Sequence, residues 1–492
     1  SDVDSTPPYY QGNKDGRRKF TTNAFAPISG SAFNYIMPKG RNTSEGHNVI
    51  VNWAISDNLS MKSISSYRKL REATQQNWSD TLLFGTDIDY DTESVSQEFQ
   101  LSGNTIDGFM SFISGLYWFQ EKGDKVEFQF TNANFVPPPA TTDPDVFGPA
   151  ATPLGGIMIE TELQSAAVYF QNTLHLSDAT ELRAGLRYTL DDREAARVRA
   201  PSQPSVIFIN DGQNDLDYEQ LDWLVSLSQQ FSDNFNAYAR IATGYRAGGT
   251  AEREVNFDQS AVFDPEESIS YEVGAKMDWL DNRLRTNVAV FQSEVDDYIL
   301  TLSGPPGTNF ASFVEVVNGD ATLTGAELDL IAEPVDNLLL TINYAYLNTE
   351  LENLIVPQSS FLFSGAAGGA DRRGDDISGE TFVAFAPRHA VTTAIDLGVP
   401  MQEGASADFH LDYVWRDEVF SQPKDGLPVN SLGLLNARAG VNNIAVGDDS
   451  SLSLNLWAKN LADEDKVIYD LSGAGFQYNT PRTWGADLRL DF

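Results

Sequence analysis

The chain has 492 residues and a formal net charge of −37, from 33 lysines and arginines against 70 aspartates and glutamates. This acidity argues against a nucleic acid partner, because binding to phosphates requires a basic surface. The lack of cysteine excludes disulfides and thiolate metal sites, and the lack of an apolar run of about 18 residues excludes a transmembrane helix. Spanning β-strands are not excluded, since each needs only about 9–11 residues, half of them polar.

Residues 1–46 are predicted to be a loop, because they contain turn-forming pairs such as Asp15-Gly16. Apolar residues then alternate with other residues over positions 49–55, and the chain returns from Leu59 after a short turn. Successive side chains of a strand point to opposite faces, so this segment is predicted to be a β-hairpin.

The same alternation recurs to the end of the chain and predicts about seventeen strands. Short turns rich in Asp, Asn and Gly join the strands in pairs, at residues 56–58, 103–108, 177–180, 232–234, 281–282, 336–337, 401–404 and 447–449. Long connections separate the pairs, the longest at residues 352–384. This exchange of short and long connections is typical of an outer-membrane β-barrel, with short periplasmic turns and long extracellular loops. A Greek-key sandwich does not require its connections to alternate between short and long in this way.

Tryptophans accompany the predicted strands and agree with a membrane location. Six lie within or at the ends of strands: Trp53, Trp223, Trp279, Trp415, Trp457 and Trp484. We expect them to form an aromatic girdle where the barrel meets the lipid headgroups.

The last ten residues show the alternation most clearly. One row of side chains is apolar or small: Trp484, Ala486, Leu488, Leu490 and Phe492. The other row consists of Thr483, Gly485, Asp487, Arg489 and Asp491. In a transmembrane barrel the first row faces lipid and the second row faces the lumen.

Several stretches resemble the barrel of TonB-dependent outer-membrane receptors. They are residues 244–249 (Gly-Tyr-Arg-Ala-Gly-Gly), 265–276 (from Pro-Glu to Gly-Ala-Lys), 325–329 (Gly-Ala-Glu-Leu-Asp), 457–461 (Trp-Ala-Lys-Asn-Leu) and 480–492 (from Thr-Pro-Arg-Thr-Trp-Gly to the terminal Phe). Each stretch is short, but their order and spacing agree with the predicted strands from about Val49 to Phe492.

The resemblance implies an all-β, transmembrane antiparallel β-barrel, in which residues 47–492 supply about 17 strands of a probable 22. Residues 1–46 would form an extracellular loop region. The implied location is the outer membrane of a Gram-negative bacterium, crossed many times. By the same resemblance, the C-terminal row would carry the signal for the barrel assembly machinery, through Trp484, Leu488, Leu490 and Phe492.

The function implied by the resemblance is active uptake of a scarce ligand, above all an iron–siderophore complex, with energy from the TonB complex. Such a receptor is not an enzyme and needs no cofactor or metal of its own. Its partners would be the TonB complex, reached through a plug domain, the barrel assembly machinery, lipopolysaccharide and outer-membrane lipid, and the small ligand. Cobalamin, haem or a saccharide are alternative ligands. A passive porin and an outer-membrane enzyme are alternative functions.

The chain departs from the family pattern because a signal peptide, a TonB-contacting segment and a plug are missing from it. The first predicted strand and the last both run toward the periplasm, and two such strands cannot close an antiparallel barrel. We therefore expect a fragment that lacks the plug and roughly five strands of the barrel. Its terminal strands should pair poorly, and it should not transport ligand on its own.

Tyr245 and Arg246 are the candidate ligand contacts, because they end an ascending strand before a glycine-rich bend. An aromatic ring and a guanidinium at the mouth of the lumen suit an anionic or catecholate-like ligand. The alternative is a girdle tyrosine beside an arginine that binds lipopolysaccharide phosphate.

Two other patterns are weaker. Four acidic residues have EF-hand spacing: Asp87, Asp89, Asp91 and Glu98. Thr92 occupies the position that requires glycine, so a calcium loop is not favoured. Four histidines are scattered without metal-ligand spacing: His47, His175, His389 and His410. We expect a structural or interfacial role for His389, at the start of a strand, and a solvated loop for residues 371–376.

Overall fold

The computed structural model describes residues 40–77, 84–105, 108–131, 152–199, 212–254, 261–304, 314–365, 369–424, 426–447, 450–470 and 476–492. Strands dominate these ranges, together with short 3-10 turns at Ser378–Glu380 and Gln402–Gly404. In the described part of the chain, no helix has the length and apolar character needed to cross a membrane.

Most of the described strands belong to one sheet of 17 strands. In chain order the strands are β1 (Gly40–Ser56), β2 (Leu59–Asn77), β3 (Phe84–Asn104), β4 (Met110–Thr131), β5 (Thr152–Ser177), β6 (Thr180–Arg199), β7 (Gly212–Ser232), β8 (Phe235–Arg246), β9 (Gly249–Thr250), β10 (Val262–Phe263), β11 (Glu266–Trp279), β12 (Leu284–Ser303), β13 (Val314–Val335), β14 (Leu338–Glu352), β15 (His389–Pro400), β16 (Ser406–Arg416), β17 (Val419–Phe420), β18 (Pro428–Val429), β19 (Leu432–Ala445), β20 (Ser451–Lys459), β21 (Val467–Asp470), β22 (Phe476–Tyr478) and β23 (Thr483–Asp491).

Each strand of the large sheet pairs antiparallel with the next long strand of the chain. The sheet runs from β1 to β8, continues through β11 to β16, and ends with β19, β20 and β23. The predicted number of strands and their antiparallel order are thereby confirmed. Three small ladders, β9–β10, β17–β18 and β21–β22, lie in the long connections.

Two of the short turns place Asp or Asn residues in a left-handed backbone. Asp281 and Asn282, between β11 and β12, have φ angles of 56° and 66°, and Asn337, between β13 and β14, has 67°. Asn and Asp accept this conformation because their short side chains bond to the local backbone. The turns predicted at these positions are confirmed.

The outward face of the large sheet is apolar over only part of each strand, and we call these positions the apolar belt. On β7 the belt runs from the exposed Leu221 to the exposed Phe231, close to the roughly 9–11 residues that a spanning strand needs. Beyond Leu221 the outward face becomes polar at Glu219. On β4 and β5 the corresponding extension carries an ion pair of 2.9 Å between Lys122 Nζ and Glu162 Oε2. The strands therefore continue past the belt toward the long connections.

Trp53 and Trp484, both expected in the aromatic girdle, are exposed, and their membrane level stays a prediction. Trp457 is different, because its neighbour Leu456 is exposed on the belt and Trp457 must then face inward. Its ring packs over Gly485, where an added Cβ would lie 2.5 Å from Cζ2 of the indole. The expectation of a girdle position is therefore wrong for Trp457.

The two end strands of the sheet, β1 and β23, are each bonded on one side only. Both are fully described, and no ladder joins them within the described ranges. An even number of antiparallel strand pairings links β1 to β23, so the two strands run in the same direction. The poor pairing of the terminal strands predicted from strand parity is confirmed within the described ranges. β1 is exposed along its length and begins at Gly40, before residue 46, where the predicted loop region ends.

Candidate functional site at the extracellular mouth

The inner face of the sheet carries polar and aromatic side chains that alternate with the belt. On β5, Tyr169 points inward because its neighbours Val168 and Phe170 are exposed on the belt. On β6, Arg187 points inward next to the exposed Leu186 for the same reason. The inner wall is therefore chemically able to contact a polar ligand.

Arg187 is the centre of an aromatic and acidic cluster on this wall. Its guanidinium carbon lies 5.5 Å from the ring centroid of Tyr117 and 6.0 Å from that of Tyr169. The Tyr169 hydroxyl donates a hydrogen bond of 2.6 Å to Glu98 Oε1. This cluster could not be predicted from the sequence, because its members come from four strands and only the register brings them together.

The chain after β8 folds against the inner face of β4 to β7, and we call residues 247–254 the inward segment. Arg193 Nη1 donates a hydrogen bond of 3.0 Å to the carbonyl oxygen of Gly248. The approach is close: a Cβ added to Gly248 would lie 2.5 Å from the hydroxyl of Tyr218. Only glycine fits at this contact without displacing the wall.

Buried charges fasten the inward segment to the wall. Lys125 Nζ lies 3.1 Å from Glu127 Oε2 and 2.8 Å from Glu252 Oε2, and Arg253 Nε lies 3.6 Å from Glu127 Oε1. Arg197 Nη1 donates a hydrogen bond of 3.1 Å to the carbonyl oxygen of Glu252. The exposed fraction is 0% for Arg197 and 2% for Glu127. Since buried charges persist only when they are paired, these contacts hold the segment in one position.

The candidate contacts Tyr245 and Arg246 end β8 directly before the inward segment, but the two side chains lie in different surroundings. The phenol oxygen of Tyr245 is buried beside Asp191 and Arg193. The side chain of Arg246 is 62% exposed, and its Nη1 lies 3.7 Å from Glu266 Oε2. Arg246 is thus open to solvent, whereas Tyr245 supports the chain beneath the inward segment.

The long connections after β14, β16 and β20 pack on one another, and we call them the joined loops. The rings of Phe382 and Phe420 stack with centroids 3.6 Å apart, and those of Phe385 and Tyr469 lie 6.1 Å apart. The amide of Phe385 donates a hydrogen bond of 2.9 Å to the carbonyl oxygen of Phe420. The joined loops therefore form one packed body.

The first of the joined loops has a hydrophobic core of its own against β12 and β13. The buried members of this core are Leu300, Leu302, Val317, Leu354, Val356 and Ile377. Its charged stretch is exposed, and there Arg373 Nη2 lies 2.6 Å from Asp371 Oδ2. The hydrogen bonds from Arg373 lower the pKa of Asp371 to about 2. Arg372, 2.8 Å from Glu380, likewise lowers the pKa of that carboxyl.

Of the acidic residues with EF-hand spacing, Glu98 does not converge with Asp89 and Asp91, and the side chain of Asp87 lies outside the described residues. They lie on β3, an extended strand. Asp91 Oδ2 lies 2.9 Å from Arg71 Nε, whereas Glu98 lies on the opposite face and bonds to Tyr169. Among the described residues, no group of three or more His, Asp or Glu side chains is placed to hold a metal ion.

The histidines pair with carboxylates and tyrosine rather than with a nucleophile. His410 Nδ1 lies 2.6 Å from Asp396 Oδ1, and its Nε2 lies 3.1 Å from Asp412 Oδ1. His389 Nδ1 lies 2.9 Å from the hydroxyl of Tyr344. A serine hydrolase requires a hydrogen-bonded Ser–His pair. None is seen in the part of the chain that the structure describes.

The residues expected to carry the assembly signal form one exposed outward row: Trp484, Leu488, Leu490 and Phe492. Phe492 is 98% exposed. Their direction agrees with the face predicted from the alternation, and their role in assembly stays a prediction.

Comparison with known proteins identifies relatives of this architecture. The family model of the TonB dependent receptor-like β-barrel matches residues 1–461. Over 197 residues, 39% of this chain, the sequence is 25% identical to the probable TonB-dependent siderophore receptor PiuA of Acinetobacter baumannii, and the match covers 25% of that protein.

Solved structures share the fold at low identity. The crystal structure of the ferric yersiniabactin uptake receptor FyuA from Yersinia pestis has a TM-score of 0.70 and 18% identity, over 92% of this chain and 62% of that chain. The copper transporter OprC has a TM-score of 0.65 and 13% identity, over 92% of this chain and 66% of that chain. The chain thus spans about two thirds of the length of these proteins. Their ligands differ, so the fold does not determine the ligand.

Proposed function

Because the chain belongs to the TonB-dependent receptor-like β-barrel family, we propose that it forms the wall and the extracellular mouth of a receptor that takes up a scarce ligand. Proteins of this family lie in the outer membrane of Gram-negative bacteria, and this chain crosses that membrane many times with its strands. The ligand that we propose is an iron–siderophore complex. Support comes from the names of relatives, a siderophore receptor and a ferric yersiniabactin uptake receptor.

The observation that carries the proposal is the inward segment, which is fastened to the wall by ion pairs of Glu252 with Lys125 and of Arg253 with the buried Glu127. A segment held in this way keeps part of the mouth narrowed, which suits recognition of one bulky ligand better than free diffusion of many solutes. Arg246 lies exposed beside the segment, and Arg187 with its two tyrosines lies farther down the same wall. These groups suit an anionic or catecholate-like ligand.

The energy and the partners belong to the same proposal. We infer that the TonB complex supplies the energy through a plug domain, as family membership suggests. The barrel assembly machinery recognises the outward row that ends in Phe492, and lipopolysaccharide contacts the outer-leaflet half of the belt. The protein transports its ligand without chemical conversion, and the histidine contacts described above favour that reading over hydrolysis.

Uptake by the product of the complete gene tests the proposal. Cells that lack their own siderophore receptors would receive this gene and, in turn, ferric catecholate, hydroxamate and carboxylate complexes under iron limitation. We expect one class to restore iron uptake, only when TonB is intact, and Arg187→Ala to weaken binding of that class. Uptake that continues unchanged without TonB would show that the protein is not an active receptor.

A passive porin is the second candidate, because porins also narrow their channel with an inward-folded loop, and the inward segment alone does not separate the two functions. Single-channel recording in planar bilayers separates the two functions. A steady ionic current through the complete protein would support the porin. A closed barrel would support a plugged receptor.

A further inference from the structure

A cationic and aromatic group lies on the outward face of β14 and β15, at the upper end of the apolar belt. Tyr344 and Tyr346 share the face of the exposed Ile342 on β14. His389, the first residue of β15, shares the face of the exposed Ile395. The group is therefore outside the lumen and separate from the inner wall described above.

The depth of this group follows from its neighbours on the same face. Beyond Tyr346 the outward positions are polar: Asn348 Nδ2 donates a hydrogen bond of 3.0 Å to Glu350 Oε1. Tyrosines concentrate where the apolar core of a membrane gives way to the headgroups. Tyr346 thus lies at the headgroup level of the outer leaflet.

Arg388 is fixed against this aromatic group. Its guanidinium carbon lies 5.8 Å from the ring centroid of Tyr346, and the imidazole of His389 lies 5.3 Å from the same ring. His389 Nδ1 lies 2.9 Å from the hydroxyl of Tyr344. The carbonyl oxygen of Arg388 accepts a hydrogen bond of 3.0 Å from the amide of Leu347. Both the backbone and the ring contact therefore position the guanidinium.

The charge of Arg388 is not neutralised by a carboxylate among the described residues, although the chain carries a net charge of −37. By contrast, the exposed arginines Arg246, Arg283 and Arg285 each lie within 3.7 Å of a carboxylate. An exposed guanidinium without a counter-charge, at headgroup level, attracts an anionic group of a lipid.

We propose that Arg388, with Tyr346 and His389, binds a phosphate group of a phosphorylated outer-leaflet lipid, the lipid A part of lipopolysaccharide. The guanidinium fork binds phosphate oxygens in pairs. The acyl chains of the same molecule lie along Ile342 and Ile395, immediately below on the belt. A lipid fits both surfaces, whereas free phosphate fits only one. The inference rests on the location in the outer membrane and is independent of the transported ligand.

Native mass spectrometry of the complete, delipidated protein tests the site with three probes. They are bisphosphorylated lipid A, the same lipid A after removal of its phosphates, and inorganic phosphate. We expect Arg388→Gln to weaken binding of bisphosphorylated lipid A by about tenfold or more, as for loss of a charged hydrogen bond. Dephosphorylated lipid A should bind equally weakly to both proteins, and millimolar phosphate should not displace the lipid.

Arg283→Gln is the matched control, because Arg283 is also exposed but already has a carboxylate partner, Asp336. It should bind the lipid like the wild type, and Arg388→Lys should recover part of the binding that Arg388→Gln loses. Heat-modifiable migration on a gel confirms that each variant is folded. Unchanged binding in Arg388→Gln, equal binding of both forms of lipid A, or displacement by phosphate alone would each overturn the lipid site.

Discussion

At the scale of single residues, the inward segment depends on a few charges from distant parts of the chain. Lys125 and Glu252 are 127 positions apart and form a hydrogen bond of 2.8 Å. Glu127 receives two cations while almost fully buried. Removing one partner of a buried pair leaves the other charge without compensation, so each residue influences the whole segment.

Glu127→Gln should loosen the inward segment. Breaking a buried pair costs up to about 3–5 kcal/mol, because Arg253 keeps its charge after the carboxylate is gone, whereas Lys125 retains Glu252 as a partner. We expect faster hydrogen exchange of the backbone amides at residues 247–254, measured by mass spectrometry. The control is Glu162→Gln, whose pair with Lys122 is exposed and screened by water, so that its loss should leave exchange of the inward segment unchanged. Equal exchange rates in the two variants would contradict the assigned role of Glu127.

The pair of Asp371 and Arg373 gives a pH prediction for the joined loops. The folded pKa of Asp371, about 2, lies below the unfolded value of about 3.9. The pair therefore adds stability above about pH 4, and this contribution is lost as the pH falls toward 2. A carboxyl ¹³C titration should show a midpoint near 2 for Asp371 and a higher midpoint in Arg373→Gln. The same midpoint in both proteins would exclude Arg373 as the cause.

At the scale of one strand, the alternation of side chains decides what each face meets. On β23 the apolar row is exposed outward, as the sequence predicts. Trp457 on β20 shows the limit of reasoning from residue type. Tryptophan is typical of the lipid-facing girdle, but the position of Trp457 in the strand places its ring over Gly485. Parity along the strand is therefore a better guide to direction than the chemical type of a single residue.

Leu488→Arg and Asp487→Arg compare the two faces of β23 at adjacent positions. A charge on the lipid face costs about 2–4 kcal/mol near the midplane and much less on the lumen face. We expect Leu488→Arg to reduce the amount of folded barrel and Asp487→Arg to leave it nearly unchanged. The heat-modifiable fraction in isolated outer membranes measures this. An equal loss in both variants would show that the two faces are assigned wrongly.

At the scale of the whole molecule, the local sequence pattern predicts the strands and turns but not the contacts between distant segments at the extracellular mouth. The number of strands, their antiparallel order and the turn at residues 281–282 follow from alternation and turn residues, which are encoded locally. The contact of Lys125 with Glu252 depends on curvature that brings β4 near the chain after β8. The cluster around Arg187 depends on the register of four strands. Neither property can be read from a window of sequence.

The 492-residue chain alone should not restore ligand uptake. Its two end strands run in the same direction without a joining ladder in the described ranges, and unpaired strand edges in lipid are costly. The test is export of this chain to the outer membrane of cells that lack their own siderophore receptors, followed by measurement of labelled iron uptake. The complete gene product serves as the positive control. Energy-dependent uptake by this chain alone would refute the prediction.

The extension of the strands past the belt determines which parts of the protein are accessible from outside the cell. β5 continues through residues 152–165 above the level of Trp118, which is about 46 Å along a strand at 3.3 Å per residue. With a tilt of about 40°, the wall projects roughly 35 Å from the headgroups. The epitopes of antibodies and the receptor sites of phages should therefore lie on these extracellular strand ends and on the joined loops. Arg388 lies at headgroup level, where the saccharides of lipopolysaccharide should shield it from antibodies and phages.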